Sequence, residues 1–197
     1  MTDNEVLDLL RSTQAFRRGH FELSSGLHSP FYLQCALVLQ HPGHAERLGR
    51  ALAAKFSGTK IDVVASPALG GVLLGHEVAR ALGVRAIFAE RDASGHLQFR
   101  RGFSVQAGER LLVVEDVLTT GGSVRETIRA IEAAGGRVVA VGVIVDRSAG
   151  RVAFDVPCQA LAKLELEKYS ADHCPLCRSG SRAEKPGSRP AGQAAAR

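Results

Sequence analysis

Two adjacent carboxylates, Glu115 and Asp116, directly follow a run of four apolar residues at 111–114. A loop with the sequence Thr-Thr-Gly-Gly-Ser comes next at residues 119–123, and an amphipathic helix pattern begins at Val124. Carboxylates held at the end of a strand can accept hydrogen bonds from a pair of neighbouring sugar hydroxyls. The backbone N–H groups of a glycine-containing loop can converge on a phosphate, which the N-terminus of the following helix also attracts. The order of these residues therefore indicates a site for a ribose that carries a 5′-phosphate.

Two other candidate segments lie at the ends of predicted strands. Residues 66–71 form a loop with two glycines between an apolar stretch and a helical pattern. A plain strand-to-helix turn would have the same composition. Arg147 follows the apolar stretch 138–145 and Asp146. A surface arginine that simply caps the end of a strand would occupy the same position.

Short apolar stretches alternate with helical patterns along most of the chain, which is typical of βαβ units. The patterns predict strands at 61–65, 84–89, 111–114 and 138–145, helices at 3–16, 43–56, 72–82 and 124–134, and two short strands around a turn within 21–38. Because the strands are continuously apolar rather than alternating, they indicate a parallel sheet that is covered on both faces. Ligands of such sheets bind beyond the carboxyl ends of the strands, where all the candidate segments fall. The polar, glycine-containing stretch 91–108 is long for a simple connection and is predicted to act as a lid.

The length of 197 residues and the ordinary apolar and charged contents, 45% and 23%, indicate one globular domain with a sizeable core. No apolar run approaches the ~18–20 residues of a membrane span, and the acidic N-terminal segment does not resemble a signal peptide, so we expect a cytoplasmic protein. The net charge of +5 suggests a nucleic-acid partner at first, but residues 178–197 contribute most of it, with five basic residues and one acid. The rest of the chain is nearly neutral, which argues against nucleic-acid binding. The chain also lacks a GxxxxGK[ST] motif, which argues against a mononucleotide kinase.

Four cysteines are too few for a disulfide-stabilised scaffold of this length, and they suit a reducing compartment. Cys35 and Cys158 stand alone in the sequence and are predicted to be small buried or half-buried residues. Cys174 and Cys177 form a Cys-Pro-Leu-Cys motif next to His173. A structural zinc ion normally has four ligands and the chain has no second CxxC motif, so a pair of spare thiols is the favoured interpretation and zinc the alternative.

Residues 111–124 resemble the phosphoribosyl diphosphate (PRPP) motif of the type I phosphoribosyltransferases. Residues 21–34 contain the pattern F-x-L-x-S-G-x-x-S-P-F-Y, which resembles the N-terminal signature of the orotate phosphoribosyltransferases. Asp146 and Arg147 match the position of a base-binding arginine in the same family. The resemblance runs in chain order from about residue 16 to residue 177.

The fold implied by this resemblance is α/β, with a mostly parallel central sheet flanked by helices and a small hood formed largely by residues 1–40. A single phosphoribosyltransferase domain would occupy residues 1–177. The composition of residues 178–197, rich in Arg, Ala, Gly, Pro and Ser, predicts a basic, low-complexity tail that is disordered or docked only locally. The implied reaction transfers the 5-phosphoribosyl group of PRPP to orotate, giving orotidine 5′-monophosphate and pyrophosphate for UMP biosynthesis. The implied cofactor is Mg²⁺, held mainly by PRPP without direct protein ligands, and the implied assembly is a homodimer without membrane or specific nucleic-acid partners.

Site residues follow from the same resemblance, position by position. Glu115 and Asp116 would bind the ribose hydroxyls and, with Arg91, act in catalysis. The complete PRPP-binding set would comprise Ala68, Leu69, Gly70, Gly71, Arg91, Glu115, Asp116, Val117, Leu118, Thr119, Thr120, Gly121, Gly122 and Ser123. The orotate-binding set would comprise Thr119, Arg147 and Tyr32. Phe31 would form a second wall of the base site or serve as an ordinary core aromatic residue.

The chain departs from the family pattern in its cationic groups. Many relatives have a lysine in the pyrophosphate loop, where this chain has Gly70. Many also have a mobile loop of the type R-K-x-x-K-x-H, of which only Arg91 matches here, and residues 91–108 contain no lysine. Arg91, with Arg100 or Arg101, is therefore expected to supply the positive charge at the pyrophosphate. Two alternatives stay open, namely a purine-base phosphoribosyltransferase and a regulator on the same fold that senses PRPP or a nucleotide.

Overall fold

The computed structural model of the chain describes residues 1–23 and 25–186. Within these residues the strands are β1 (Phe16–Glu22), β2 (His28–Leu33), β3 (Val63–Pro67), β4 (Arg85–Arg91), β5 (Leu97–Phe99), β6 (Arg110–Leu118), β7 (Arg137–Asp146) and β8 (Cys158–Lys163). The helices are α1 (Asp3–Ser12), α2 (Ala36–Leu39), α3 (Pro42–Ala54), α4 (Gly70–Leu82), α5 (Gly122–Ala133) and α6 (Pro175–Arg178). None of the helices in this described part of the chain is long and apolar enough to cross a lipid bilayer.

Strands β3 to β8 form one sheet with the order β5-β4-β3-β6-β7-β8. Every neighbouring pair in it is parallel except β4 and β5, which are antiparallel. The chain passes from β3 to β4 on one side and later reaches β6 on the other side of β3. The gap between β3 and β6 is therefore the topological switch point, where open α/β sheets bind their ligands. The predicted α/β class with a mostly parallel sheet is confirmed.

The sheet is covered on both faces, as its continuously apolar strands indicate. All five residues of β3 are buried, and so are residues 111–114 of β6. One core cluster joins the strands to α1, α3 and α4, and a second joins them to α5 and to aromatic side chains such as Phe103 and Phe154. Because both faces are occupied, a ligand can reach the sheet only at the ends of its strands.

Sequence patterns do not predict the two edge strands. β5 has three residues and lies inside the stretch 91–108, which forms a hairpin with β4 in place of an open loop. β8 has the sequence Cys-Gln-Ala-Leu-Ala-Lys, which carries little strand signal of its own, and its pairing with β7 decides its conformation. The central strand β6 is also longer than predicted, because it continues through the acidic pair to Leu118.

The hairpin of β1 and β2 is a separate small sheet in the region predicted to form the hood. The C-terminal segment lies against it, since Glu22 N–H donates to the Glu184 carbonyl and Glu184 N–H donates to the His20 carbonyl, both over 2.8 Å. Of the two states predicted for the stretch from residue 178, disorder or local docking, its described part up to residue 186 shows local docking, because the edge of β1 offers backbone groups to which Glu184 binds. The rest of the predicted tail, residues 187–197, lies outside the described residues.

Helices α3 and α4 approach each other closely at Gly49. A Cβ atom at this position would lie 2.6 Å from Cβ of Glu77 and 2.9 Å from its backbone carbonyl carbon, which is too close for a real contact. Gly43, on the same helix, has no atom within 4 Å of the corresponding point. Since α4 begins at one of the candidate loops, this helix contact helps to fix the position of that loop.

We expect Gly49→Ala to lower the free energy of unfolding by about 1–3 kcal/mol, because the backbone of α4 must move away from the new methyl group. Gly43→Ala should instead raise it by up to about 1 kcal/mol, since alanine favours a helix over glycine. Urea denaturation of the parent chain and of both variants measures the difference. Equal stabilities of the two variants would show that the helices have room to separate.

Candidate active site

The carboxyl ends of β3 and β6 bring the loop 66–71 against the acidic pair. A Cβ atom on Gly71 would lie 2.8 Å from the carbonyl oxygen of Val114, and one on Gly70 would lie 2.9 Å from Oδ1 of Asp116. Any side chain at position 70 would therefore displace the carboxylate or be displaced by it. This contact gives a physical reason for glycine at the position where many relatives have lysine.

The loop 119–123 leads into a helix start that suits a phosphate. α5 begins after Gly121, whose φ of +76° is the left-handed conformation that glycine adopts most readily. A Cβ atom there would also lie 2.8 Å from Cγ1 of Val152. Because glycine has no side chain to cap the helix, the first N–H groups of α5 remain available to an anion, and Thr119 and Thr120 are exposed beside them.

A second helix begins at the same edge of the sheet without a polar cap. α4 starts after Leu69, a residue that is 88% exposed and whose apolar side chain cannot accept a hydrogen bond from the first turn. The N–H group of Ala68 donates to the carbonyl of Ala89 over 2.7 Å, which ties the loop to β4. Each of the two helix starts can bind one anionic group, as a ribose with phosphates at both ends requires.

The acidic pair lies in β6 between these two helix starts. Burial raises the pKa of Glu115 to about 8, with a further contribution from the Asp116 carboxylate, while a hydrogen bond with Ser123 opposes the shift. Burial also raises the pKa of Asp116, although the Val117 N–H group donates to its Oδ1 over 2.8 Å. Two buried carboxylates side by side disfavour full ionisation, so they favour a ligand that brings hydroxyl donors or a cation.

Arg147, directly after β7, has a largely buried guanidinium. Its Nε has no hydrogen-bond partner in the described part of the chain, and burial lowers the pKa of the group. Cys35 and Tyr32 lie near enough for their charged forms to interact with it. A buried cationic donor without a partner is costly. The arrangement therefore favours an anionic ligand, such as a carboxylate, beside Tyr32 of the hood. Cys35 itself is buried and Cys158 is half-buried, as predicted.

Lys168 is a further cation near Arg147 that sequence patterns do not identify. Its pKa is lowered, first by partial burial and then by repulsion from Arg147 and Arg151. It lies in an irregular segment after β8, outside every recognisable motif, so only the path of the chain brings it toward Arg147. A second positive group at this position adds to the attraction for an anionic base.

Arg91, the predicted catalytic arginine, stands at the end of β4 and is bound to other residues in this structure. Its Nη1 donates to Oε2 of Glu126 over 2.8 Å and also to the carbonyl of Gly95. Its charge nevertheless reaches the acidic pair, where it lowers the pKa of Glu115 against the larger effect of burial. Arg91 is therefore next to the site but must exchange partners before it can bind a ligand.

The other arginines of the predicted lid pair with a single carboxylate. Arg101 donates to Glu90 over 2.7 Å, and Arg100 lies 3.6 Å from the same residue. Asp92 accepts hydrogen bonds across the hairpin turn, and these lower its pKa to about 2. The bond from the Ser94 side chain has the largest effect on this pKa. The predicted lid is thus a hydrogen-bonded hairpin whose cations are paired with neighbouring acids.

Three residues of the predicted site have side chains that serve packing. Leu118 is 1% exposed and lies in the core beneath α5, and Val117 packs against the opposite core cluster. Only their backbone groups remain for a ligand, and binding of PRPP by these two residues stays a prediction. Phe31 stacks on Phe16 with 5.4 Å between ring centroids, so it belongs to the packing of the hood.

The site offers Mg²⁺ two neighbouring carboxylates. Among residues 1–23 and 25–186, the single group of three or more side chains able to hold a metal ion by themselves lies in the hood, not at this edge of the sheet. Mg²⁺ is commonly held by one or two carboxylates together with water and substrate phosphates. The negative charge of the pair would therefore attract to this edge of the sheet an ion that is itself held by a diphosphate.

The raised pKa of Glu115 predicts how stability depends on pH. The folded chain binds more protons than the unfolded chain between the ordinary glutamate value and about 8, so the free energy of unfolding should fall as pH rises through this range. Glu115→Gln removes this titration and should flatten the dependence, whereas Glu132→Gln, an exposed control on α5, should not. Urea unfolding between about pH 5 and about pH 8 measures the slopes. Equal slopes for all three proteins would contradict the burial of an uncharged Glu115.

Comparison with known proteins agrees with this geometry. The family model of the phosphoribosyl transferase domain matches residues 38–172. The chain is 50% identical over 189 residues to the orotate phosphoribosyltransferase of Caldanaerobacter subterraneus, covering 96% of this chain and 99% of the relative. It is 56% identical over 176 residues to the orotate phosphoribosyltransferase of Thermus thermophilus, covering 89% and 96%.

Solved structures show the same architecture. The crystal structure of Mycobacterium tuberculosis orotate phosphoribosyltransferase in complex with PRPP has a TM-score of 0.66 and 25% identity, covering 81% of this chain and 94% of that one. The complex of the same enzyme with Fe(III) dicitrate has a TM-score of 0.68 and 26% identity. The strand order, the acidic pair, the two helix starts and the high identity over nearly the whole length all point to one family. The chain belongs to the type I phosphoribosyltransferases, in the family of orotate phosphoribosyltransferases.

Proposed function

We propose that this chain transfers the 5-phosphoribosyl group of PRPP to orotate and releases pyrophosphate, which yields orotidine 5′-monophosphate for pyrimidine (UMP) biosynthesis. The observation that carries the proposal is the buried Nε of Arg147, which has no partner among the described residues. Orotate has a carboxylate that a guanidinium can bind in a fork. Purine bases lack such a group, so this unpaired arginine favours orotate over a purine.

PRPP carries a 5′-phosphate and a 1-diphosphate, and the site has two helix starts without polar caps. We assign the 5′-phosphate to the start of α5, with Thr119, Thr120 and Ser123 around it, and the diphosphate to the start of α4 at Gly70 and Gly71. Both helices are long enough for their N-terminal dipoles to attract an anion. The PRPP complex of the Mycobacterium tuberculosis relative supports a PRPP site on this fold.

The reaction exchanges one bond at C1 of the ribose. The bond from C1 to the diphosphate oxygen breaks and its electrons leave with pyrophosphate, while orotate N1 forms the new bond and its proton passes to solvent. Positive charge develops at C1 and the ring oxygen, as in glycoside cleavage. Glu115 and Asp116, bound to the ribose hydroxyls, place negative charge close to that cation and so stabilise the transition state. Orotate is itself the nucleophile, so the protein needs none.

The departing pyrophosphate requires positive charge, and Arg91, whose charge acts on Glu115, is the source we assign. We propose that its guanidinium exchanges Glu126 for a diphosphate oxygen when PRPP binds, because phosphate oxygens accept charged hydrogen bonds in a fork. Mg²⁺ on the diphosphate would add charge neutralisation when it is bound. Assembly as a homodimer and a cytoplasmic location stay predictions from the family resemblance and the composition.

Release of pyrophosphate from PRPP in the presence of Mg²⁺ tests the proposed function. Orotate should trigger release, and adenine, hypoxanthine, guanine and uracil should not at the same concentration. Release with a purine would instead assign the chain to the purine-base phosphoribosyltransferases. Tight binding of PRPP in calorimetry without release by any base would favour the PRPP-sensing regulator.

Arg147→Ala should reduce kcat/KM for orotate by about 10- to 150-fold, since a hydrogen bond to a charged group contributes roughly 1.5–3 kcal/mol. Binding of PRPP alone should change little. Arg137→Ala is the matched control, because Arg137 lies exposed at the opposite end of the same strand. Steady-state kinetics of both variants measure kcat/KM for orotate. Unchanged orotate kinetics in folded Arg147→Ala would remove this residue from the base site.

Arg91→Ala should lower kcat by on the order of 10- to 100-fold, because the leaving group loses a charged donor. Arg85→Ala, at the start of the same strand and paired with Glu109, serves as the control and should keep its turnover. In the parent chain, PRPP with Mg²⁺ should also slow tryptic cleavage at Arg100 and Arg101. Full activity of Arg91→Ala together with ligand-independent cleavage would show that this hairpin is not the lid.

A further inference from the structure

Four side chains with metal-binding atoms converge between the hood and the C-terminal segment. They are His20, His28, Cys174 and Cys177, whose ligand atoms all lie within 4.8 Å of one another. Nε2 of His20 lies 2.9 Å from Nδ1 of His28, and 3.5 Å and 3.7 Å from Sγ of Cys174 and of Cys177. Sγ of Cys177 also lies 3.3 Å from Nδ1 of His28. None of these residues belongs to the strand-end site described above.

The separations within the cluster approach those of a tetrahedral zinc site. With Zn–S bonds of about 2.3 Å and Zn–N bonds of about 2.0–2.1 Å, tetrahedral geometry puts neighbouring ligand atoms roughly 3.3–3.8 Å apart. Two imidazoles and two thiolates are a common ligand set for structural zinc. Two thiolates also balance the charge of the ion. Four protein ligands leave no open position for a substrate, so an ion held here would be structural rather than catalytic.

The surroundings of the cluster orient its ligands. Nδ1 of His20 lies 3.1 Å from the carbonyl oxygen of Ser181, so this nitrogen carries the proton and Nε2 presents a lone pair to the cluster. A β-bulge in β1 includes His20 and leaves two consecutive residues of the strand buried, which re-aims the imidazole. Cys174 and Cys177 lie three residues apart across the turn of α6, which brings both thiols to one side.

The C-terminal segment has too little apolar burial to fix its own path. Within residues 171–186, all of which the structure describes, Cys174 is the only buried residue. Ordering the backbone of such a segment costs conformational entropy, and the few apolar groups buried here cannot offset that cost. An ion bound by ligands from two distant segments can supply that free energy, as it does in small zinc-dependent domains.

We propose that His20, His28, Cys174 and Cys177 bind one structural zinc ion that ties the C-terminal segment to the hood. The proposal takes up the zinc alternative that the sequence left open, because two further ligands come from the hairpin, 154 and 149 positions away along the chain. His173, next to the motif, is not a ligand and bonds to a serine hydroxyl instead.

The zinc site would also steady the hood beside the proposed orotate position. Phe21, adjacent to His20, packs on Tyr32 with 5.5 Å between ring centroids, and Tyr32 interacts with Arg147. Loss of the ion should therefore raise KM for orotate more than it lowers kcat. This consequence rests on the proposed function, whereas the metal site itself does not.

Metal analysis of the full chain, purified with zinc and without chelator, tests the proposal directly. We expect about one zinc ion per chain in the parent protein and in His173→Ala, the matched control beside the motif. A Cys174→Ser/Cys177→Ser double variant should lose the zinc. With Co²⁺ in place of zinc, the parent chain should show the visible absorption of a tetrahedral thiolate site. A folded parent chain that binds neither ion would overturn the proposal.

A second measurement does not depend on a variant that folds. The parent chain is treated with TPEN, a chelator that binds zinc far more strongly than magnesium, and is then alkylated or digested with trypsin. The chelator should expose both thiols of the motif to alkylation, lower Tm and speed cleavage after Arg178 and Arg182. Zinc added back before alkylation, heating or digestion should restore the behaviour of the untreated chain in all three measurements. A Cys174–Cys177 disulfide, or alkylation and cleavage that the chelator does not alter, would overturn the proposal.

Discussion

The burial of β6 between two parallel neighbours is the constraint on which the strand-end site depends. Residues 111–114 are fully buried and pair with β3 on one side and β7 on the other. A slip of the strand by one residue would draw Arg110 toward the core or carry Glu115 deeper into it, and burying a charged group without a partner is costly. The acidic pair therefore stands at a fixed height on the sheet edge, with the starts of α4 and α5 on either side of it.

The same burial gives the site its electrostatic character. It raises the pKa of Glu115 and of Asp116 and lowers that of Arg147, so each charged form is disfavoured in the absence of a ligand. A ligand that supplies hydroxyl donors, a cation and a carboxylate offsets these penalties, and its interactions are stronger here than they would be with exposed groups. Arg91 shows the opposite arrangement, since it is half-exposed and paired with Glu126, which suits a group that has to move. The buried groups thus suit the substrate binding proposed for them, while the exposed pairing of Arg91 suits its proposed role at the leaving group.

The hood is stabilised by different interactions from those of the sheet. A two-stranded hairpin is at best marginally stable alone, and the role proposed for Tyr32 beside the base requires this one to stay in place. Its support comes from α1, from aromatic pairs such as Phe16 with Phe31, and from the C-terminal segment paired to its edge. The proposed zinc ion would fasten that segment where hydrophobic burial is insufficient. The catalytic sheet relies on a continuous apolar core, and the hood relies on a few specific contacts.

The sequence by itself determined the α/β class, the edge of the sheet that carries the site, and the roles expected of Glu115, Asp116 and the loop 119–123. It could do so because a strand, its loop and the next helix are contiguous, and their chemistry depends on near neighbours. Only the tertiary structure decided the edge strands β5 and β8 and the partners of Arg91. It also brought Lys168 toward Arg147 and placed two histidines of the hairpin beside the distant Cys-Pro-Leu-Cys motif. These features join residues that are far apart in the chain or that carry weak local signals, so the path of the whole backbone sets them, and no local pattern of residue types encodes that path.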